Sequence, residues 1–135
     1  MGVTSGDAER IADNVLSAND KILAISIMDR GGNPLVGKSS ESFKKAFGAT
    51  ANQGDYGGTL ALAVLSLVNQ VSNIFGEAQA IITIHKNCKL MLLPVPSYQI
   101  LVGLVLERSV NTEDRNIANE IESLMADMLN RNSDV

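Results

Sequence analysis

From Tyr56 to Gly76 the chain reads YGGTLALAVLSLVNQVSNIFG, a stretch without one charged side chain. Plotted at about 100° per residue, Leu60, Ala63, Val64, Leu67, Val68, Val71, Ile74 and Phe75 share one broad sector, which predicts a helix lying on a core with that face. Ser66, Asn69, Gln70 and Asn73 gather opposite, where a surface helix ordinarily carries Lys or Glu; Leu62 stands among them, and Ala61 and Leu65 widen the apolar side. Neutral amides beside leucine suit a helix–helix contact, because they pair across it without a charge having to be desolvated. A membrane span needs about 20 mostly apolar residues, and polar residues recurring at helical spacing argue against one here. There remain a helix covered by its own chain and a helix shared between the fold and a second protein chain. The lack of charge on either side favours the shared helix.

The chain has 135 residues, 45% of them apolar, enough for a single domain, 1–135, whose core needs no disulfide or metal staple. Aromatic residues are 4% with no Trp, so the core is aliphatic, with five Met to fill irregular gaps. A net charge of −4 argues against nucleic acid and against an anionic membrane surface. Cys88 is the single cysteine, which excludes an internal disulfide and fits a reducing cytosol. The opening MGVTSGDAER has no apolar h-region, and Gly6 stands where an N-myristoylation signal has Ser or Thr. The expectation is a cytoplasmic chain.

Residues 7–18 place Ala8, Ile11, Ala12, Val15 and Leu16 on one helical face, with Thr4 or Ser5 as cap and Asp7 and Glu9 at the positive end. Lys21 to Met28 is apolar on both faces of a strand, the pattern of a central strand. Asp29-Arg30-Gly31-Gly32-Asn33 predicts a turn, and Pro34 to Gly37 a return strand whose proline suits an edge. Ser40 can cap a two-turn helix with Phe43, Ala46 and Phe47 inward and Lys44 and Lys45 outward, ending at Gly48, before a loop. Past Gly76, strands are expected over Ala78–His85, Leu90–Val95 and Ile100–Leu106, the last again apolar on both faces. A closing helix opens at Asn111 or Thr112, with Asn111 and Asp114 in the relation of a capping box, turns Ile117, Ile121, Leu124, Met125, Met128 and Leu129 inward, and frays from Arg131. The order α-β-β-α-β-β-β-α gives an α+β, three-layer α-β-α sandwich around a five-stranded antiparallel sheet, with the first and fifth strands at its centre. The third strand, with Ile81, Ile82, Thr83 and Ile84 and no proline, would at an edge be a template for another chain. Paired about a two-fold axis, it would give one continuous sheet with the two uncharged helices side by side.

Two segments carry a resemblance to a known family. AISIMDRGGNPLVGKSS, Ala24 to Ser40, resembles the strand, acid–x–x–Gly–x–Pro–Leu turn and return strand of the roadblock/dynein light-chain family; KLMLLPVPSYQILVGLVLERS, Lys89 to Ser109, is similar to its paired fourth and fifth strands. With the long helix, the similarity spans nearly the whole chain. The resemblance implies a roadblock/profilin-like fold, a homodimer or a heterodimer with a related chain, built through the second helix and third strand, and a platform role. Proteins of this family bind small Ras-like GTPases as scaffolds, activators or exchange assistants, and serve as light chains of motor complexes. The residues expected at the dimer interface are Leu62, Leu65, Ser66, Val68, Asn69, Gln70, Ser72, Asn73, Ile82 and Ile84, with Arg30 as a possible contact for another partner. The extra segment 41–55 and the uncharged helix depart from the family pattern.

The case for catalysis is thin. His85 and Cys88 lie three apart around a turn, but no third orienting group or oxyanion donor accompanies them, and too few ligands for a metal. Gly54-Asp55-Tyr56-Gly57-Gly58-Thr59 precedes a helix, yet it lacks the lysine of a phosphate loop, and Asp55 would repel an anion. Arg30, Arg108 and Arg115 are present for a GTPase-directed arginine, but nothing in their spacing selects one. The reading is a non-enzymatic dimeric platform that binds and regulates a small GTPase, with no cofactor or metal. The rivals are a ligand-binding sensor of the PAS or profilin-like type, for which the strands supply only Ser26, Thr83 and Gln99 as inward polar groups, a Cys88 enzyme, and a structural light-chain subunit of a larger assembly.

Overall fold

Thr4 opens the first helix, α1 (Ser5–Ala18), by accepting the Asp7 amide on its hydroxyl at 3.1 Å. Asp7 then holds Arg10 at 2.5 Å, one turn on. The apolar residues Ala8, Ile11, Ala12 and Val15 recur at helical spacing and are buried, as their pattern predicts. The structure, a computed structural model, describes residues 3–47, 63–111 and 116–133. The expected positions of Gly48, Gly54–Thr59, Leu60, Ala61, Leu62, Asp114 and Arg115, and the side chains of Ala46 and Phe47, lie outside the described residues.

β1 (Ile22–Asp29) is apolar on both faces and runs into a turn built by one carboxylate. Asp29 accepts the Gly31 and Asn33 amides, both at 2.9 Å, and the Asn33 side-chain amide at 3.0 Å, while Gly32 takes a φ of 79°. These bonds favour the charged form and hold the Asp29 carboxyl below its ordinary range. The chain returns as β2 (Pro34–Ser39), two residues longer than the sequence suggests. Lys38 on β2 reaches Asp13 at 2.7 Å and Glu9 at 3.3 Å, tying this strand to α1. Ser40 caps α2 (Glu41–Phe47), its hydroxyl accepting the Phe43 amide at 3.2 Å; Phe43 is buried, and Lys44 and Lys45 are exposed.

The uncharged stretch is helical over residues 63–69 (α3), turns at Gln70–Val71, and resumes as α4 (Ser72–Phe75), which Gly76 ends at φ 83°. The sequence predicts one unbroken helix to Gly76; the Val71 amide instead bonds back to the Val68 carbonyl at 3.2 Å, a tightened turn that divides it. Three antiparallel strands follow: β3 (Ile81–Ile84), β4 (Cys88–Val95) and, after a short turn at Pro96–Tyr98, β5 (Ile100–Glu107). β3 is half the length predicted, since residues 76–80 are irregular after Gly76. The last helix, α5 (Asn116–Ser133), stays helical beyond Arg131, where the sequence predicts fraying.

The sheet order is β2-β1-β5-β4-β3, every neighbouring pair antiparallel. β1 and β5 are interior, as their two-faced apolar character requires, and β3 and β2 are the edges. One sheet face packs against α1 and α5, where Ile11, Ile27, Leu93, Val102, Leu106, Ile121 and Met125 are fully buried among aliphatic neighbours. Ala118, absent from the sequence expectation for α5, joins them. α2 contacts β1, and α3 packs on the opposite face through Leu65, completing an α-β-α sandwich.

Candidate interaction surface

Leu65 of α3 packs, with Leu92 of β4, against buried Met28 and Leu101. That contact sets how the helix is turned about its axis. Leu67 is then 67% exposed, Val71 40%, Ile74 77% and Phe75 80%, a run of large apolar side chains facing away from the sheet. The sequence predicts these four on the core, so the assignment is reversed. The physical reason is that a helix without charge has two apolar sides, and hydrophobic periodicity alone does not say which one its own sheet occupies. Val64 and Val68 are half-buried between the two sides.

Ser66, Asn69, Gln70 and Asn73 are exposed, and Ser72 is half-buried, its hydroxyl donating to the Asn69 carbonyl at 2.8 Å. α3 and α4 thus present an outer surface of aliphatic, phenyl and neutral amide groups with no formal charge. A contiguous apolar run of this kind marks an interaction site more often than a solvated face.

β3 is the unguarded edge of the sheet. Ile82 packs on the main core, Ile84 is 62% exposed, and no charge or proline interrupts Ile81–Ile84. The opposite edge is guarded: β2 begins with Pro34, which has no amide proton, and carries Lys38 held by two carboxylates.

The groups considered for catalysis do not assemble. His85 Nε2 lies 2.9 Å from Thr83 Oγ1, and its backbone amide donates to the Cys88 carbonyl. Burial pushes the Cys88 thiol up, away from the thiolate form a nucleophile needs. No group of three or more His, Cys, Asp or Glu that could hold a metal occurs among the described residues. Ser26 and Thr83 are half-buried, Gln99 sits exposed in a left-handed turn at φ 56°, and no polar or charged residue is buried among those described. An open groove of about 380 Å³ between α1 and α5, lined by Asn14, Ser17, Ala18, Leu124, Asp127 and Met128, has no cluster of converging charges. Arg30 is exposed at the tip of the β1–β2 turn, and Arg108 follows β5, also exposed. No helix among the described residues is long and apolar enough to cross a membrane.

Neither a family model nor a curated protein matches the sequence. Solved structures do match. The gliding protein MglB of Thermus thermophilus is similar at a TM-score of 0.71 and 14% identity, over 95% of this chain and 92% of that one. MglB of Myxococcus xanthus follows at 0.68 and 9%, over 96% and 90%, and a roadblock/LC7 domain of Streptomyces avermitilis at 0.67 and 10%, over 90% and 94%. LokiProfilin1, solved in complex with rabbit actin, reaches 0.54 at 12% identity, over 94% of this chain and 97% of that one. At such identities the likeness is one of fold alone: the chain has the roadblock-like fold, and the profilin structure matches it less well.

Proposed function

We propose that this roadblock-like chain acts as a dimeric, non-enzymatic platform that binds a small Ras-like GTPase and regulates it. The observation that carries the reading is the uncharged outer surface of α3 and α4, with Leu67, Val71, Ile74 and Phe75 exposed, in a chain whose β3 edge is open. A second copy laid against that surface and edge removes these side chains from water and continues the sheet. Of the residues expected at the interface, Ser66, Asn69, Gln70 and Asn73 face outward, Ile82 and Ile84 lie on the edge strand, and Leu65 is engaged with its own sheet. Leu67, Val71, Ile74 and Phe75 take the place given to Leu65.

The GTPase partner is supported by the roadblock resemblance of the sequence together with a fold shared with MglB and a roadblock/LC7 domain. The apolar described core, without inward polar groups, speaks for a protein-binding platform over a ligand sensor. A light-chain role within a larger assembly would use the same surface.

The test is calorimetric titration of the purified chain with each Ras-like GTPase of the same genome, loaded with GDP or with a non-hydrolysable GTP analogue. Binding that prefers one nucleotide state, with a Kd of about 1–10 μM, supports the reading. A well-folded dimer that binds no such GTPase in either state contradicts the GTPase assignment.

A further inference from the structure

We propose that Met128 is a reversible oxidation site, at which a hydroperoxide turns the thioether into a sulfoxide and Asn14 holds the new oxygen. The site stands apart from the surface assigned to a second copy. It lies between α1 and α5, on the sheet face opposite α3.

Burial divides the methionines among the described residues. Met28 is 2% exposed, Met91 4% and Met125 0%, all within the core. Met128 is half-buried and lines the open groove of about 380 Å³ beside Asn14, Ser17 and Leu124. Met125 and Met128 stand less than one turn apart on α5, so the helix sets a sealed thioether next to an open one.

A thioether sulfur is polarisable and nucleophilic, and its oxidation requires that a peroxide reach it. A sulfur lone pair attacks the hydroxyl oxygen of the hydroperoxide. The S–O bond forms as the O–O bond breaks, and the departing oxygen takes up the hydroxyl proton. The products are the sulfoxide and an alcohol, or water where the oxidant is hydrogen peroxide. Sulfur gives up two electrons and the peroxide accepts them. Methionine sulfoxide reductase, with a dithiol supplying two electrons, returns the thioether and releases the oxygen as water.

Asn14 is oriented for the product. Its side-chain amide carries two N–H donors. One is committed to the Arg10 carbonyl at 2.9 Å, which fixes the amide on α1. The same nitrogen lies 3.4 Å from Met128 Sδ, so the second N–H is aimed across the seam at the sulfur. A thioether is a weak acceptor, and this contact contributes little while the sulfur is reduced. A sulfoxide oxygen is a strong acceptor placed where that donor already points. Oxidation thus changes the groove wall formed by Met128 and Leu124 from apolar to polar and leaves the α3–α4 surface untouched.

Hydrogen peroxide is the probe, applied for timed intervals to a Cys88→Ser parent so that the thiol does not enter the reading. Trypsin cleaves after Arg115 and Arg131, which puts Met125 and Met128 on one peptide, and fragmentation of that peptide assigns the added oxygen between them. Met128 is expected to oxidise at least about tenfold faster than Met28, Met91 or Met125. Urea unfolding before and after treatment reads the part played by Asn14. Oxidation is expected to raise the unfolding equilibrium constant about fivefold more in Asn14→Ala than in the parent, the worth of one ordinary hydrogen bond. Adding Met128→Leu to the Asn14→Ala chain is expected to abolish that difference, and reductase with a dithiol to restore both mass and urea midpoint. Oxidation of Met28, Met91 or Met125 as fast as Met128 overturns the site. Equal shifts in the parent and Asn14→Ala, or a difference that survives Met128→Leu, overturn the role of Asn14.

Discussion

Leu65 and Leu67, two positions apart on α3, face opposite ways: Leu65 packs with Leu92 against Met28 and Leu101, while Leu67 projects from the molecule. A helix built this way has given one side to its own sheet and kept a second, equally uncharged side outward. Exposed large apolar side chains found singly need no explanation, but Leu67, Val71, Ile74 and Phe75 follow one another along the same outer surface.

Leu67→Asp and Ile74→Asp are expected to leave the fold of the single chain unchanged, its stability moving by about 0.5 kcal/mol or less as at ordinary surface positions. Each would raise the dimer dissociation constant on the order of tenfold or more, because a charge would be desolvated against an apolar partner surface. Sedimentation velocity at several concentrations, with circular dichroism as the folding control, checks both halves of the expectation.

Core substitutions give the contrasting signature. Leu93→Ala and Ile121→Ala each open a cavity beneath α1 and α5 where the side chain is enclosed by aliphatic neighbours, and each is expected to cost about 2–5 kcal/mol in urea unfolding. Here folding is lost before association, the reverse of the outer-surface variants.

The β1–β2 turn predicts an acid-sensitive contribution. The Asn33 and Gly31 bonds to Asp29 depress its carboxyl below the unfolded value, so their stabilisation is present above the ordinary carboxylate range and fades as pH falls through the folded pKa. The stability difference between the parent chain and Asp29→Ala should therefore be largest near pH 7 and shrink towards about pH 2. Urea unfolding across that range reads it; a difference that grows on acidification contradicts the account of the turn.

Cys88 should behave as an ordinary half-buried thiol. Because burial favours its protonated form, alkylation by iodoacetamide is expected to be slower than for a free thiol at neutral pH and to accelerate as pH rises through and above the usual thiol range. The Cys88→Ser chain should keep the same mass in solution. Rapid modification at neutral pH would instead point to an activated cysteine.

Most of the sheet was legible in the sequence because its strands carry unambiguous instructions. Ile22–Asp29 and Ile100–Glu107 are apolar on both faces and had to be interior, and Asp29 to Asn33 holds the acceptor, the glycines and the amide that the turn uses. The orientation of α3 was not legible. Periodicity reports how apolar a face is, not whether the sheet beneath it or another molecule will cover it, and a turn at Gln70–Val71 divides the helix that the wheel treats as continuous. β3 was overestimated for a related reason: Ala78, Gln79 and Ala80 read as strand, but they follow Gly76 at positive φ and form no ladder with β4. The open edge at Ile81–Ile84 was foreseeable from its lack of proline and charge.

The most direct test is size-exclusion chromatography with multi-angle light scattering on the parent chain and on Ile84→Glu, which changes the exposed residue of the β3 edge. The account predicts a parent mass of twice 14.4 kDa at micromolar concentration and a shift towards the single-chain mass when a carboxylate stands on the β3 edge. A parent chain that remains at 14.4 kDa up to about 100 μM, well above the range where a stable dimer forms, would contradict it.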